Sequence, residues 1–296
     1  MGVPTIYAKL LESSRNSNND SAFSADLGHA VQSSKTSIRL MVSGSMALPT
    51  KIMKEWETLT GHVLLERYGM TEFAMALSNP YSPLEGRLPG YVGQPLPSVQ
   101  VRIVKEDTKD DADKEGDGEK ATGAGADESE CVGELRVKGP TVFTRYWNQP
   151  EATKAAFDSE GYFKTGDIVQ YSTKYRSYRV LGRASVDIIK CGGYKLSALE
   201  IERVLIEHED VEEMVVLGVP DLVWGERVAA ICRMKQGATA QLTLESLRQW
   251  CQTRLTRYKI PSRLLVVEEI PKNAMGKVSK KQLVSLFHIE GNERGV

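Results

Sequence analysis

The chain has 296 residues, enough for about two domains that bury their own cores without disulfides or a structural metal. Its 38 Lys+Arg and 39 Asp+Glu leave a net charge of −1, which excludes nucleic-acid binding through bulk positive charge. Four cysteines (Cys131, Cys191, Cys232, Cys251) without a CxxC pair and four histidines without ligand spacing argue against a disulfide framework and a zinc site. No apolar run approaches the ~18 residues of a membrane span. The expectation is a soluble globular protein with reduced thiols, no signal peptide and no Arg-rich transit helix.

Residues 13–37 are rich in Ser and Asn, with scattered apolar positions, and read as loop or disorder. Strand-like runs at Ile38–Ser43 and Val63–Arg67 flank a helical segment, Thr50–Leu59. Turn chemistry follows at Asn79-Pro80, Leu88-Pro89-Gly90 and Pro95-Leu96-Pro97. Val99–Val104 and Gly133–Val137 alternate apolar and polar residues, as half-buried strands do. Between them, residues 105–130 hold 11 acidic and 4 basic side chains, a net of −7 that leaves the remainder near +6. Such a run reads as an elongated surface loop joining neighbouring strands. After Gly182, helix and strand patterns alternate closely. A capping box at Ser197–Glu200 opens a helix, Met214–Leu217 and Val228–Cys232 read as strands, and Thr243–Leu255 reads as a second helix. Leu264–Val267 is a buried strand, and Ser279–Gln282 is another capping box, opening a terminal helix through Phe287. This order predicts a small α+β domain from about residue 183 onward.

Four short motifs carry chemistry. Tyr68-Gly69-Met70-Thr71-Glu72 follows a strand-like run and offers a flat ring, a hydroxyl and a carboxylate on one rim. These groups suit a base, a phosphate and Mg²⁺ respectively, although an ordinary turn has the same composition. Thr165-Gly166-Asp167 places an acid just past an expected turn, where it can accept both hydroxyls of a ribose. Gly182-Arg183 supplies a multi-donor cation, and Gly192-Gly193-Tyr194-Lys195 removes side chains where a backbone must approach a ligand, or simply makes a tight turn. Pro271–Lys277 holds Lys277 after a Gly turn, where it can neutralise charge in a phosphoryl-type transition state or remain a solvated lysine.

In this order, the four motifs resemble the adenylate-forming superfamily of acyl-CoA synthetases and their relatives. Val42–Pro49, containing Gly44 and Ser45, is similar to that family's adenine-side loop, and Gly90–Pro97 to its Gly/Pro segment. The run Glu66–Glu72, with Ser43-Gly44-Ser45, most resembles malonyl-CoA synthetases, including the mitochondrial acyl-CoA synthetase type. The resemblance spans the chain from about residue 38, apart from the acidic insert. It implies a combined α/β and α+β fold. Residues 1–182 would be the C-terminal portion of a large AMP-binding domain, and 183–296 a small mobile domain.

The resemblance also implies roles. Gly44, Ser45, Tyr68, Gly69 and Met70 would line the nucleotide site, with Tyr68 on the adenine. Thr71 would contact the α-phosphate, Glu72 would hold Mg²⁺, and Asp167 and Arg183 would hold the ribose. Lys277 would bridge acid and phosphate as the catalytic cation beside Thr71, and Gly193, Tyr194 and Lys195 would line the CoA side. One extra residue separates Arg183 from Gly192-Gly193 relative to the common form, so the hinge is located only to Ala184–Asp187. The residue before the motif's Tyr, here Arg67, faces the acyl pocket in the family; a guanidinium there matches a second carboxylate on a short diacid.

The family's Ser/Thr/Gly-rich phosphate loop has no counterpart in this chain, so the sequence reads as starting partway through the large domain. The implied reaction joins a small acid, malonate or methylmalonate, to CoA through acyl-AMP, using ATP and Mg²⁺, and the implied location is mitochondrial. The alternatives are a non-catalytic binding fragment and an adenylating enzyme that loads a carrier protein.

Overall fold

The structure, a computed structural model, describes residues 2–16, 30, 33, 37–105, 131–238, 242–273 and 278–289. The chain divides into two units, Met1–Val180 and Leu181–Val296.

The first unit begins with helix α1 (Pro4–Asn16), whose Tyr7 and Leu11 lie four residues apart on one face. They bury against Leu48, Met53, Trp56 and Leu64, and the Tyr7 and Trp56 rings meet edge-on at 4.8 Å. Helix α2 (Thr50–Thr60) follows Pro49 and ends on Gly61 at φ 74°, whose N–H donates to the Glu57 carbonyl. Helix α1 corrects the expectation of loop from residue 13, because it continues to Asn16. Its apolar stripe is short and becomes stable only when Trp56 covers it. Much of 13–37, together with 106–130 of the acidic run, lies outside the described residues.

Strands β1 (Val42–Ser43), β2 (Leu65–Met70), β3 (Ala74–Ser78) and β4 (Gln94–Pro95) form one sheet in that order. β1 and β2 are parallel, and the other pairs are antiparallel. The strand expected over Ile38–Ser43 is thus only two residues long, and the next is displaced to reach Met70. β1 pairs with β2 through Val42 opposite Leu65 and Ser43 opposite Glu66, with the Met41 carbonyl accepting the Leu65 N–H at 3.0 Å, and residues 38–40 precede the ladder.

A second sheet takes β5 (Gln100–Val104), β6 (Cys131–Lys138), β7 (Phe163–Ser172) and β8 (Ser177–Arg183) in chain order. β5 and β6 flank the acidic run and pair antiparallel, with Val104 opposite Glu134. Phe73, Leu77, Ile103, Leu135, Phe163 and Val169 form the buried core shared by these strands. Helix α3 (Pro150–Ala156) has proline in its first turn, where no backbone donor is required.

An ion-pair ladder lies beside this core. Asp158 Oδ2 receives Arg102 at 2.5 Å and Arg136 at 3.0 Å, while its Oδ1 accepts from the Tyr162 N–H at 2.9 Å. Burial works against its ionisation, but the N–H and the two guanidiniums outweigh burial and hold the carboxyl below its ordinary 3.8. A lowered folded-state pKa adds stability above the unfolded value and loses it as pH falls through the folded value. Asp158→Asn should therefore be less stable than the parent near neutral pH, with the deficit narrowing on acidification below 3.8. Urea unfolding at a series of pH values measures this; a deficit independent of pH would contradict the charge assignment.

In the second unit, β9 (Ile188–Cys191), β10 (Tyr194–Ser197), β11 (Val211–Asp221) and β12 (Gly225–Met234) assemble in the order β10-β9-β12-β11. β13 (Arg263–Val267) adds in parallel to β12. Helices α4 (Ala198–Leu205), α5 (Leu244–Cys251), α6 (Lys280–Leu283) and α7 (Leu286–Ile289) complete it. Along β11, Met214 and Val216 pack with Ile201, Leu205 and Leu247, whereas Val215, Leu217 and Val219 pack with Ile270, Leu283 and Phe287. Both faces are covered, which accounts for the uninterrupted apolar run in the sequence.

Ser197 caps α4 by accepting the Glu200 N–H at 3.1 Å, but the Glu200 carboxylate pairs with Lys259 at 2.7 Å. Ser279 makes no side-chain cap, and the single terminal helix expected there is the short pair α6 and α7. Among the described residues, no helix is long and apolar enough to cross a membrane.

Candidate nucleotide site

In the first unit the site starts where β1 ends. Gly44 is buried, and Ser45 is exposed in a left-handed conformation, φ 68°. The loop they open is held by Glu66 on β2, 2% exposed, whose Oε1 accepts from the Leu48 N–H at 3.0 Å. Sequence reasoning omitted Glu66 from the site. Its signal was an acid directly after the apolar run Val63-Leu64-Leu65, in the same strand-like segment, where an unpaired carboxylate would be costly.

Arg67, Tyr68, Gly69 and Met70 all lie within β2, and Thr71 and Glu72 form the turn into β3. The aromatic is therefore a strand residue and does not follow the strand. The ladder shifts register between Tyr68 and Gly69, and Arg67 stands opposite Ser78. Arg67 Nε is buried without a hydrogen-bond partner among the described residues.

Tyr68 Oη donates to Asp167 Oδ2 at 2.6 Å, joining residues 99 positions apart. The Tyr68 ring also lies 5.8 Å from that of Phe73. Asp167, 5% exposed, sits within β7, so the turn expected at Thr165–Asp167 is a bulge in a continuing strand. The two motifs to which the resemblance assigns the base and the ribose thus meet at one hydrogen bond.

Thr71 is exposed, and Glu72 is half-buried. Glu72 Oε1 accepts from Tyr146 Oη at 3.1 Å, and its backbone carbonyl accepts from the Phe143 N–H at 2.7 Å. No cluster of three or more His, Cys, Asp or Glu side chains suits a metal among the described residues. A Mg²⁺ bound mainly by phosphate oxygens and water needs only one or two carboxylates, and Glu72 fits that requirement. Tyr146, which fixes this carboxylate, carried no sequence signal of its own.

The other predicted residues belong to the second unit. Arg183 ends β8, and its N–H donates to Asp187 Oδ2 at 2.9 Å across the turn 184–187. Gly192 and Gly193, at φ 56° and 83°, form a two-residue hairpin between paired Cys191 and Tyr194. A Cβ on Gly193 would meet nothing within 4 Å, so backbone conformation selects glycine there and crowding does not. Tyr194 stacks on Tyr258 at 4.7 Å and 5°, both rings partly exposed, and Lys195 is exposed beside it. Lys277 lies outside the described residues.

Comparison with known proteins accords with this arrangement. The family described as AMP-binding enzyme matches residues 1–147, and the AMP-binding enzyme C-terminal domain matches residues 200–277. The chain is 50% identical over 293 residues to the mitochondrial malonate–CoA ligase ACSF3 of Homo sapiens, covering 97% of this chain and 49% of that protein. It is 46% identical over 295 residues to a malonate–CoA ligase of Arabidopsis thaliana, covering 95% and 43% respectively. Among solved structures, ATP-bound MatB from Rhodopseudomonas palustris superposes with a TM-score of 0.76 at 34% identity, covering 97% of this chain and 50% of that one. The chain spans about half the length of the curated relatives it matches. It belongs to the AMP-binding enzyme family, the adenylate-forming superfamily.

Proposed function

We propose that this chain forms the nucleotide-holding and small-domain part of an ATP-dependent acid–CoA ligase acting on malonate or methylmalonate. The observation that carries the reading is the 2.6 Å bond between Tyr68 and Asp167, which gathers a ring and a carboxylate from separate motifs. The malonate–CoA ligase names of several relatives support the acid, and the mitochondrial names of the vertebrate ones support the location.

Residues 1–182 act as the C-terminal portion of the large AMP-binding domain, and 183–296 as the mobile small domain. The substrate carboxylate attacks the α-phosphorus of ATP and pyrophosphate leaves. The CoA thiol then attacks the acyl carbonyl, losing its proton as AMP departs. Gly44, Ser45, Gly69, Met70 and the Tyr68 ring border the adenine, Thr71 donates to the α-phosphate, and Asp167 with Arg183 holds the ribose hydroxyls. Lys277 offsets phosphate charge during the first step. Gly193, Tyr194 and Lys195 border the CoA. Mg²⁺ on Glu72 would supply charge neutralisation at the phosphates.

In a full-length enzyme containing this chain, malonate-dependent ATP–pyrophosphate exchange is expected. Asp167→Ala should raise KM for ATP by about tenfold or more, since hydrogen bonds to a charged group contribute about 1.5–3 kcal/mol. Absence of exchange, or an unchanged KM for ATP in Asp167→Ala, would overturn the reading.

A further inference from the structure

The bulge that presents Asp167 has an uncommon form. Between the pairs Glu134–Ile168 and Arg136–Lys164, β6 contributes Leu135 alone while β7 contributes Thr165, Gly166 and Asp167. Two additional residues on one strand leave backbone donors outside the ladder, and Gly166 takes φ 70°. Buried backbone groups of this kind need partners. Thr165 Oγ1 donates to the Leu135 carbonyl at 2.6 Å and accepts from the Asp167 N–H at 3.1 Å. The Gly166 N–H donates to Glu134 Oε1 at 3.2 Å.

Glu134 is itself held from its other oxygen. Arg136 Nε meets Glu134 Oε2 at 3.2 Å, and the Arg136 guanidinium also donates to Asp158 Oδ2 at 3.0 Å. The carboxylate is 21% exposed, so the ion pair is not merely a surface contact. One side chain therefore links the ion-pair ladder to the bulge.

We propose that Glu134 is a positioning residue for Asp167. By fixing the Gly166 N–H, it sets the bulge conformation that turns the Asp167 carboxylate toward Tyr68. This rests on the nucleotide reading of Asp167. Glu134 does not touch the nucleotide; it acts through the backbone of Gly166. Without it, the bulge has one N–H unsatisfied and relaxes toward other conformations, so ATP is held less well while the chemical step, once reached, is little altered.

Two conservative variants separate this role from a structural one. Glu134→Gln retains a carbonyl oxygen of the same reach for the Gly166 N–H but loses the charge facing Arg136. Glu134→Asp retains the charge but is shorter by one methylene and does not reach the N–H. In a full-length enzyme containing this chain, Glu134→Asp should raise KM for ATP by about tenfold with kcat within about twofold. Glu134→Gln should stay within about threefold of the parent in KM. Melting temperatures measured in parallel should order the variants by retained charge, the opposite of their order in KM. If Glu134→Gln raises KM for ATP as much as Glu134→Asp or more, the Arg136 ion pair is the relevant contact and the proposal fails. If neither variant moves KM, it also fails. Asp167→Ala is the control: should it leave KM for ATP unchanged, the nucleotide reading falls and takes the proposal with it. A tenfold effect in Asp167→Ala with none in Glu134→Asp removes the positioning role alone.

Discussion

Arg67→Met, in a full-length enzyme containing this chain, is expected to lower kcat/KM for malonate by about 30-fold to several-thousand-fold while acetate and propionate are retained or improved. Arg67 sits mid-strand in β2, half-buried, opposite Ser78. Its Nε finds no hydrogen-bond partner among the described residues. Internal pairing with Glu66 or Glu72 would make Arg67 structural. Glu66 Oε1 accepts instead from the Leu48 N–H at 3.0 Å, and Glu72 Oε1 accepts from Tyr146 Oη at 3.1 Å. Under the proposed function, the second carboxylate of a short diacid would meet this donor, in the bidentate geometry a guanidinium favours. Truncating one partner of a buried charge pair costs about 2–5 kcal/mol, which gives the stated range at about 1.36 kcal/mol per tenfold. Met removes the charge at similar length, so a monoacid meets a more apolar wall. Parallel losses on malonate and acetate would make Arg67 a structural residue and remove the physical basis for a diacid.

The second large effect is on stability, at Lys280. Its ammonium lies 2.6 Å from Asp187 Oδ1 and 2.8 Å from Glu202 Oε1, with all three side chains less than one-fifth exposed. Glu202 Oε1 also accepts the Val216 N–H at 2.8 Å, and Asp187 accepts that of Arg183. Lys280 thus ties α6 to α4 and to the turn 184–187 within the second unit. Burial disfavours the charged ammonium, but Glu202 and Asp187 outweigh it and raise the Lys280 pKa. Burial is the larger influence on Glu202, raising its pKa despite Lys280.

Lys280→Met leaves two facing carboxylates without their cation, a change that destabilises by about 3–5 kcal/mol. Against a typical total of about 5–15 kcal/mol, that is a large share of the unit's stability. The pH dependence has a definite sign. A carboxyl whose folded pKa is raised contributes stability below its unfolded value, and loses it as pH rises through the folded value. The variant should therefore be weakest near neutral pH and recover relative to the parent as acid protonates Glu202. For Lys280 itself, the raised pKa means that the parent keeps the cluster below the ordinary 10.5 and loses it only as pH rises through the higher folded value. Denaturant unfolding of parent and variant across pH reads both trends. A variant as stable as the parent at neutral pH, or a deficit that grows on acidification, would show that the cluster does not act as described.

Much of the frame is legible in local sequence. Alternation identifies β5 and β6, a capping serine identifies the start of α4, and the apolar run at Met214–Leu217 identifies a strand covered on both faces. Tyr68, Glu72 and Asp167 are legible as residues with the right chemistry. The features that local sequence misrepresents depend on contacts far along the chain. Helix α1 is stable because Trp56 covers its stripe, and neither Tyr7 nor Leu11 announces that partner. Thr165–Asp167 has the composition of a turn, yet pairing with β6 on either side keeps it inside a strand. Glu134 occupies an outward position in an alternating strand, where an acid ordinarily signifies solvent.

Local sequence thus carries β5, β6, β11 and the start of α4, the boundary near residue 182 as an expectation, and side chains whose chemistry suits a nucleotide and a diacid. These are properties of local periodicity, turn composition and side-chain chemistry, which need no distant partner. That Tyr68 meets Asp167 across 99 residues, that Glu134 reaches Gly166, and that Lys280 lies between Asp187 and Glu202 follows from tertiary packing. A hydrogen bond is lost over about an ångström, so such pairings follow from strand register and bulges, which the whole sheet sets together.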